Sequence, residues 1–194
     1  APGVVHVVEG KRFTLGELDG TKTERVQTLS ARFTKAGFKA PVIADIRREI
    51  WLKMWGNLSF NPISALTHAT LVDLLQFPAT RELSIQMMRE AETIASKLGI
   101  TFRVGIDKRI AGAEKVGAHK TSMLQDVEAG KPIEIEALVG AVVELGRLTG
   151  TPTPRIDAMY ACATLLARTL ANQRGRLAVS PLAEGATHQP GRMA

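Results

Sequence analysis

The chain has 194 residues, of which 45% are hydrophobic, and its 25 Lys and Arg against 19 Asp and Glu give a formal net charge of +6. This length and apolar content are sufficient for one domain, or one and a half, with a sizeable buried core. Neither a long apolar run nor a signal-peptide pattern occurs, which argues against a transmembrane helix or secretion. A soluble cytoplasmic protein without a membrane partner is therefore predicted.

The positive charge is compatible with an anionic partner but selects none. Basic residues are spread along the chain, two Trp and one Tyr are available for base stacking, and no helix-turn-helix or zinc-finger spacing appears. Nucleic acid is therefore not predicted as a partner, and no metal site is predicted either. The single cysteine, Cys162, has small and apolar neighbours in AMYACATLLA, so it is expected to pack in the core.

The first 43 residues are expected to belong to an α/β unit. GVVHVV (3–8) and RFTLGE (12–17) are rich in β-forming residues, and the glycine between them predicts a hairpin. A helix is expected next, capped at Thr21 or Thr23, and then a short strand, APVIA. These elements are too few to close a sheet, so residues 1–43 are interpreted as the remnant of a larger domain that begins upstream.

From Asp45 onward the apolar residues follow helical spacing. Helices are predicted at 45–61, 78–99, 107–116, 120–129, 135–150 and 154–172. Connections this short favour a compact bundle of about six helices, so the chain is expected to be mainly α. Residues 44–172 are taken as one helical domain, and residues 173–194, which are rich in Gly, Pro and Ser, as a flexible tail.

One helix carries an unusual polar pattern within EIWLKMWGNLSFNPISALT. Lys53, Asn57 and Asn61 are each four residues apart, so they share one helix face. Pro62 follows directly, and the sequence predicts that the helix kinks or ends at Asn61. We call these three side chains the polar ladder. A broken helix end beside the ladder would be a suitable binding site for a small polar ligand. The structural alternative is that the Asn side chains satisfy backbone groups and Lys53 extends to solvent.

A second stretch with clustered polar residues is TSMLQDVEAGKPIEIE. A Thr or Ser cap, a short helix that ends on Gly130 and an extended connection are predicted. Ser122 and Asp126 are four residues apart on that helix, and Glu134 lies beyond the turn. As structure alone, Ser122 would be a cap, Asp126 a surface carboxylate and Glu134 an acid favoured by the next helix dipole.

Together the two stretches resemble the motifs of the ketopantoate reductase (2-dehydropantoate 2-reductase) family, and GVVHVVEGKRFTLGELDG resembles the last hairpin of its cofactor domain. The resemblance covers about residues 3–170. It implies a two-domain enzyme with an N-terminal Rossmann domain that binds NADPH. It also implies a helical C-terminal domain similar to that of 6-phosphogluconate dehydrogenase. The implied reaction reduces 2-dehydropantoate to pantoate on the route to pantothenate and coenzyme A.

The resemblance also implies roles for individual residues. Lys53 would be the general acid that protonates the ketone oxygen as hydride arrives, and Glu134 would anchor the substrate or the nicotinamide ribose in the closed cleft. The implied substrate-binding residues, which would hold carboxylate and hydroxyl, are Asn57, Asn61 and Ser122. Asp126 would support these residues from further away. Hydride addition develops alkoxide charge, which a nearby ammonium neutralises by proton transfer.

Some features depart from the family pattern. No G-x-G-x-x-G occurs in the chain, so its cofactor-binding residues are unknown and NADPH would be bound mainly by an N-terminal part that is missing here. The preference for NADPH over NADH is therefore open. Ile133 stands where the family often has Thr, and Glu136 where it often has Asp, which leaves the 2-oxo acid substrate open.

Three other hypotheses remain from the sequence. The chain could be a helical dimerisation or interaction module without catalysis, or a paralogous reductase of another 2-oxo acid. It could also bind an anion or nucleic acid through its net charge of +6. The apolar helices also allow a homodimer.

Overall fold

The computed structural model describes residues 3–4 and 10–173, and the chain is mainly helical there. The helices are α1 (Glu24–Lys35), α2 (Ile46–Thr67), α3 (Leu71–Gln76), α4 (Pro78–Lys97), α5 (Ile106–Glu114), α6 (Ser122–Glu128), α7 (Ala141–Leu148) and α8 (Pro154–Asn172). A π-helical segment, Glu136–Gly140, leads directly into α7. The prediction of a mainly α chain is confirmed. Within the described residues, no helix is both long and apolar enough to cross a membrane.

The segment before α2 has the order of a small α/β unit. Two isolated parallel bridges join Arg12 to Lys39 and Leu15 to Val42, and α1 lies between the two bridged stretches. Parallel pairing requires a crossover connection, and a helix is its usual form. The predicted strand APVIA therefore pairs with the stretch that precedes α1. That this unit belongs to a cofactor domain stays a prediction.

Helix α1 begins where the sequence predicted. The Thr23 hydroxyl caps it by accepting a hydrogen bond from the backbone N–H of Val26 at 3.3 Å. The predicted hairpin of residues 3–8 depends on residues 5–9, which lie outside the described residues. The predicted tail also falls outside them from residue 174 onward.

Helix α2 is the central element of the bundle and packs against α4, α6 and α8. Trp55 is fully buried, stacks on Phe102 with ring centroids 4.1 Å apart, and donates a hydrogen bond from Nε1 to the Met88 carbonyl at 2.7 Å. A buried indole N–H needs such a partner. The hydrogen bond to the Met88 carbonyl of α4 and the stacking on Phe102 therefore hold α2 in position.

The prediction that the helix ends at Asn61 is wrong, because α2 continues through Pro62 to Thr67. The alternative, a kink at Asn61, stays a prediction. A proline inside a helix costs about 3 kcal/mol, since it removes one hydrogen bond and crowds the preceding turn. The residues around Pro62 are nevertheless buried, including Leu58 and Ile63. Burying one such side chain contributes about 1.5–3 kcal/mol, so packing on several helices outweighs the local penalty.

Two further differences concern the helix boundaries. Helix α3 was not predicted, although its capping box pairs Thr70 with Asp73 in the tetrapeptide TLVD. The helix predicted at 135–150 is divided, because its first turns are π-helical. The remaining predicted helices agree with the structure to within a few residues at each end.

The expectation that Cys162 packs in the core is also wrong, because the residue is exposed on α8. The buried residues of this helix, Ile156, Ala163 and Leu170, are seven positions apart and form one narrow stripe. Neighbouring residues on a helix point about 100° apart. Cys162 therefore lies beside the stripe, and its small neighbours did not indicate which face would be covered.

Candidate active site

The ladder of Lys53, Asn57 and Asn61 runs from solvent into the protein along α2. Lys53 is exposed, Asn57 is half-buried and Asn61 is only 4% exposed. The three residues share one face because the helix is continuous over this span. The ladder therefore offers an exposed ammonium at its outer end and a buried amide at its inner end.

The inner end of the ladder meets α6. The amide Nδ2 of Asn61 lies 3.5 Å from the Ser122 hydroxyl oxygen, at the long limit of a hydrogen bond. The cap of α6 is Thr121, whose hydroxyl accepts a hydrogen bond from the Leu124 N–H at 3.3 Å, so Ser122 does not have the cap role. Ser122 is exposed in the first turn. Two predicted site residues from distant parts of the chain are thus in contact, and the hydroxyl can still reach a ligand.

The predicted acids lie further from the ladder. Asp126 is half-buried on α6, and Glu134 is exposed just before the π-helical segment. Among the described residues, neither carboxylate forms a hydrogen bond or an ion pair with Lys53. The neighbouring Glu136 accepts a hydrogen bond from the Tyr160 hydroxyl at 2.7 Å, which raises the pKa of that hydroxyl. Glu136 is therefore held by a partner, whereas Glu134 is presented to solvent.

A cavity of about 450 Å³ lies beside Lys53, between α2 and α5. It is lined by Glu49, Leu52, Lys53, Val104, Lys108, Arg109 and Gly112. Three of these side chains are cationic and one is acidic, so the cavity has a positive potential. Its walls are otherwise apolar or small, which is the usual composition of a site for a small molecule.

Arg109 is the least expected residue of this cavity. Its guanidinium packs on Gly56 of α2 so closely that a Cβ added there would lie 2.2 Å from one terminal nitrogen. Its Nε is buried and has no hydrogen-bond partner among the described residues. Burial lowers the pKa of Arg109, although an arginine stays protonated at any physiological pH. A partly buried cation, which has no acidic partner among the described residues, therefore packs one helix turn from Lys53.

Arg109 was not predicted as a site residue, because its helix was interpreted only as part of the bundle. The available signal was Gly56, which sits inside a strongly helical pattern at a cost of about 1 kcal/mol relative to Ala. A glycine in that position usually marks the close approach of another group. The sequence did not show which group approaches.

This arrangement defines a class of site. An exposed ammonium is able to donate a proton, and the amides and the hydroxyl are able to donate hydrogen bonds. The cationic cavity attracts an anion, and Lys53 lines it, whereas Asn57, Asn61 and Ser122 do not. Such a set of groups suits a small, anionic, oxygen-rich molecule on which proton transfer takes place.

Comparisons with known proteins identify the family. The model of the ketopantoate reductase PanE/ApbA C-terminal family matches residues 45–167, and the chain belongs to this family. The 2-dehydropantoate 2-reductase of Mesorhizobium japonicum is 57% identical over 175 residues, which are 90% of this chain and 52% of that protein.

Solved structures show the same relationship. The 2-dehydropantoate 2-reductase of Methylococcus capsulatus has a TM-score of 0.77 and 33% identity, over 82% of this chain and 56% of its own. A crystal structure from Ralstonia solanacearum MolK2 has a TM-score of 0.81 and 38% identity, over 87% of this chain and 51% of its own. The chain therefore spans about half the length of the relatives that it matches.

Proposed function

We propose that this chain is the substrate-binding and general-acid half of an NADPH-dependent reductase that converts 2-dehydropantoate to pantoate. Hydride is added to the carbonyl carbon of the 2-oxo acid, and Lys53 gives a proton to the carbonyl oxygen, so that a hydroxyl group forms. The observation that carries the proposal is the ladder on α2, which starts at exposed Lys53 and reaches Ser122 through buried Asn61. Membership of the reductase family supports the same assignment.

The proposed roles follow from the placement of each group. Lys53 is exposed at the edge of the cationic cavity, where an ammonium can meet a bound carbonyl oxygen. Asn57, Asn61 and Ser122 donate hydrogen bonds to substrate oxygens without adding charge near the lysine. Glu134 is exposed and would act on the substrate or the nicotinamide ribose once the cleft has closed, with Asp126 as more distant support.

The cofactor needs residues that this chain does not offer. No G-x-G-x-x-G occurs in its 194 residues, so the turn that binds a dinucleotide pyrophosphate is absent from it. We therefore assign NADPH to the portion of the enzyme that corresponds to the unmatched half of the relatives, with residues 1–43 as the end of that domain. The reduced nicotinamide supplies the hydride when it is bound. Cytoplasmic location and a homodimer stay predictions.

The test compares this chain with a fusion enzyme, in which the part of the Mesorhizobium relative that precedes the matched region is joined before the chain. Oxidation of NADPH and of NADH is followed with 2-dehydropantoate and with a panel of other 2-oxo acids. We expect turnover by the fusion enzyme and none by the chain alone.

Other outcomes of this test would favour a different function. Faster turnover of a different 2-oxo acid would favour a paralogous reductase. A fusion enzyme that binds NADPH tightly, as seen by fluorescence, but reduces no 2-oxo acid would contradict catalysis and favour a helical interaction module.

A further inference from the structure

The π-helical segment Glu136–Gly140 has a feature that the proposed roles do not use. It begins two residues after Glu134, leads into α7, and packs against both α2 and α8. Turns of π-helix are rare and are frequent at functional sites. This one stands between an acid of the candidate site and the core of the bundle.

The direction of Glu134 depends on this turn being π-helical. A π-helical hydrogen bond spans five residues instead of four, so the turn contains one residue more than an α-helical turn. One residue corresponds to about 100° of rotation around a helix axis. If Glu136–Gly140 were regular α-helix, the residues before it would be rotated by about this angle relative to α7. Glu134 would then leave its present direction.

Contacts on two sides hold the segment. On the inner side, Ile135 is 4% exposed and Val139 is fully buried. On the outer side, Glu136 accepts a hydrogen bond from the Tyr160 hydroxyl of α8 at 2.7 Å. This bond is the main cause of the raised pKa of Tyr160, so the hydroxyl stays a donor at neutral pH. The first residue of the π-helical turn is thus tied to a neighbouring helix.

Gly140 leaves the space in which this hydrogen bond forms. A Cβ on residue 140 would lie 2.7 Å from Oε2 of Glu136 and 3.2 Å from Cε2 of Tyr160. Both distances are shorter than an ordinary van der Waals contact, so a side chain there would displace the carboxylate. The φ angle of Gly140 is −56°, which other residues also adopt, so close approach and not backbone conformation explains the glycine.

We propose that Tyr160 and Glu136 are positioning residues, which hold the π-helical turn and thereby aim Glu134 at the substrate or the nicotinamide ribose. The inference rests on the proposed function and adds two residues to it. Without the hydrogen bond, the buried side chains of the turn stay in place, but its outer side is free to move. A misplacement of about 1 Å can lower activity about 10²-fold, so a small movement of Glu134 has a measurable effect.

The test compares Tyr160→Phe with Glu134→Ala in the fusion enzyme. Tyr160→Phe keeps the ring and removes only the hydroxyl, and we expect it to lower kcat/KM for 2-dehydropantoate about 3- to 30-fold. The changes in kcat and in the KM values for the 2-oxo acid and for NADPH should follow the pattern of Glu134→Ala, to a smaller extent. In the Glu134→Ala background, Tyr160→Phe should change kcat/KM less than about twofold, because the group that it positions is already lost.

Further variants separate positioning from general effects. Glu136→Gln keeps an acceptor for the Tyr160 hydroxyl and should retain most of the activity, whereas Glu136→Ala should match Tyr160→Phe. Gly140→Ala should also lower kcat/KM, although alanine favours a helix more than glycine does, so helix propensity would not explain the loss. Glu144→Gln, which changes an exposed acid of α7 outside this contact, is the control and should leave every kinetic parameter unchanged.

Several results would overturn the inference. Equal losses from Tyr160→Phe with and without Glu134 would mean that the hydrogen bond only supports the fold, and unchanged kinetics in Tyr160→Phe or in Glu134→Ala would remove the positioning role. If the unaltered fusion enzyme reduces no 2-oxo acid, the proposed function fails separately, and calorimetric binding of NADPH and of 2-dehydropantoate decides about Tyr160. Weaker binding of one ligand by Tyr160→Phe, with no further weakening in the Glu134→Ala background, would support positioning. Equal binding by all proteins, or no binding of either ligand, would refute it.

Discussion

The two halves of α2 differ in how completely they are covered. The N-terminal half buries only Trp51, Trp55 and Gly56, whereas the C-terminal half is buried continuously from Leu58 to Ala65. In the N-terminal half, Ile50 is 51% exposed and Lys53 is exposed, whereas in the C-terminal half Leu58 and Ile63 are at most 2% exposed. The site lies where one environment changes into the other. A reactive side chain needs access to a ligand, and its backbone needs a fixed position, and α2 provides both within two turns.

The comparison also explains why a proline is tolerated in this helix. Pro62 lies in the buried half, where neighbouring helices hold the chain on several sides, so the lost hydrogen bond does not end the helix. The same proline in the exposed half would lack that support. The buried half, together with Trp55, therefore anchors the helix, and the proposed proton donor Lys53 lies in the half that is partly exposed.

The largest expected effect is on catalysis in the exposed half. Lys53→Met in the fusion enzyme should lower kcat by about 10²- to 10⁴-fold, since the proton donor is lost. The free energy of unfolding should change by less than about 0.5 kcal/mol, because Lys53 is exposed. Steady-state kinetics and urea denaturation measure the two quantities. Lys115→Met at the end of α5 is the control, and an unchanged kcat in Lys53→Met would remove the lysine from the mechanism.

The next effect is on stability in the buried half. Leu58→Ala should lower the free energy of unfolding by about 2–5 kcal/mol, because a fully buried side chain is replaced by a cavity. Ile50→Ala, in the exposed half of the same helix, should cost much less. Urea denaturation of this chain is sufficient for both variants. Equal losses would show that the two halves do not differ as anchor and surface.

A smaller effect distinguishes Ser122 from its neighbour Thr121 at the inner end of the ladder, because one change should affect KM and the other stability. Ser122→Ala should raise the KM for the 2-oxo acid about 2- to 10-fold, as expected for one neutral hydrogen bond, and leave stability unchanged. Thr121→Ala should instead lower the free energy of unfolding by about 1 kcal/mol, because Thr121 caps α6. Kinetics and denaturation of both variants provide the comparison. A loss of stability in Ser122→Ala would return it to a structural role.

Most of the helical architecture could be predicted from the sequence, because each helix has its own apolar period and end signals. Thr23, for example, is a cap in the sequence pattern and in the structure. The shared face of Lys53, Asn57 and Asn61 also follows from spacing alone once the helix is assigned. Local rules are sufficient where the interaction itself is local.

The remaining features depend on contacts between distant parts of the chain. Whether Pro62 ends the helix is decided by packing against α4, α6 and α8, which no local rule contains. The contact of Arg109 with Gly56 joins residues more than fifty positions apart, and the exposure of Cys162 depends on which face of α8 is covered. A local signal was present in the glycine, but its partner could be identified only in three dimensions.

The smallest expected effect tests the segment before α2, which lies outside the helical core. Arg25 and Thr23 donate hydrogen bonds to the Glu17 carboxylate. These bonds, chiefly the one from Arg25, hold the pKa of Glu17 below its usual range. A lowered folded-state pKa stabilises the fold above the unfolded-state pKa, and this contribution is lost as the pH falls through the folded-state value. Glu17→Gln should therefore lower the melting temperature at pH 7 and flatten its decrease on acidification. The effect should be small, because Arg25 is exposed and solvent screens the pair, although the Glu17 side chain itself is only 12% exposed. Melting curves from neutral to acidic pH measure this effect, and Glu92→Gln on α4 is the control. Identical pH profiles for Glu17→Gln and the unaltered chain would show that the Glu17–Arg25 ion pair does not hold α1 against the preceding stretch.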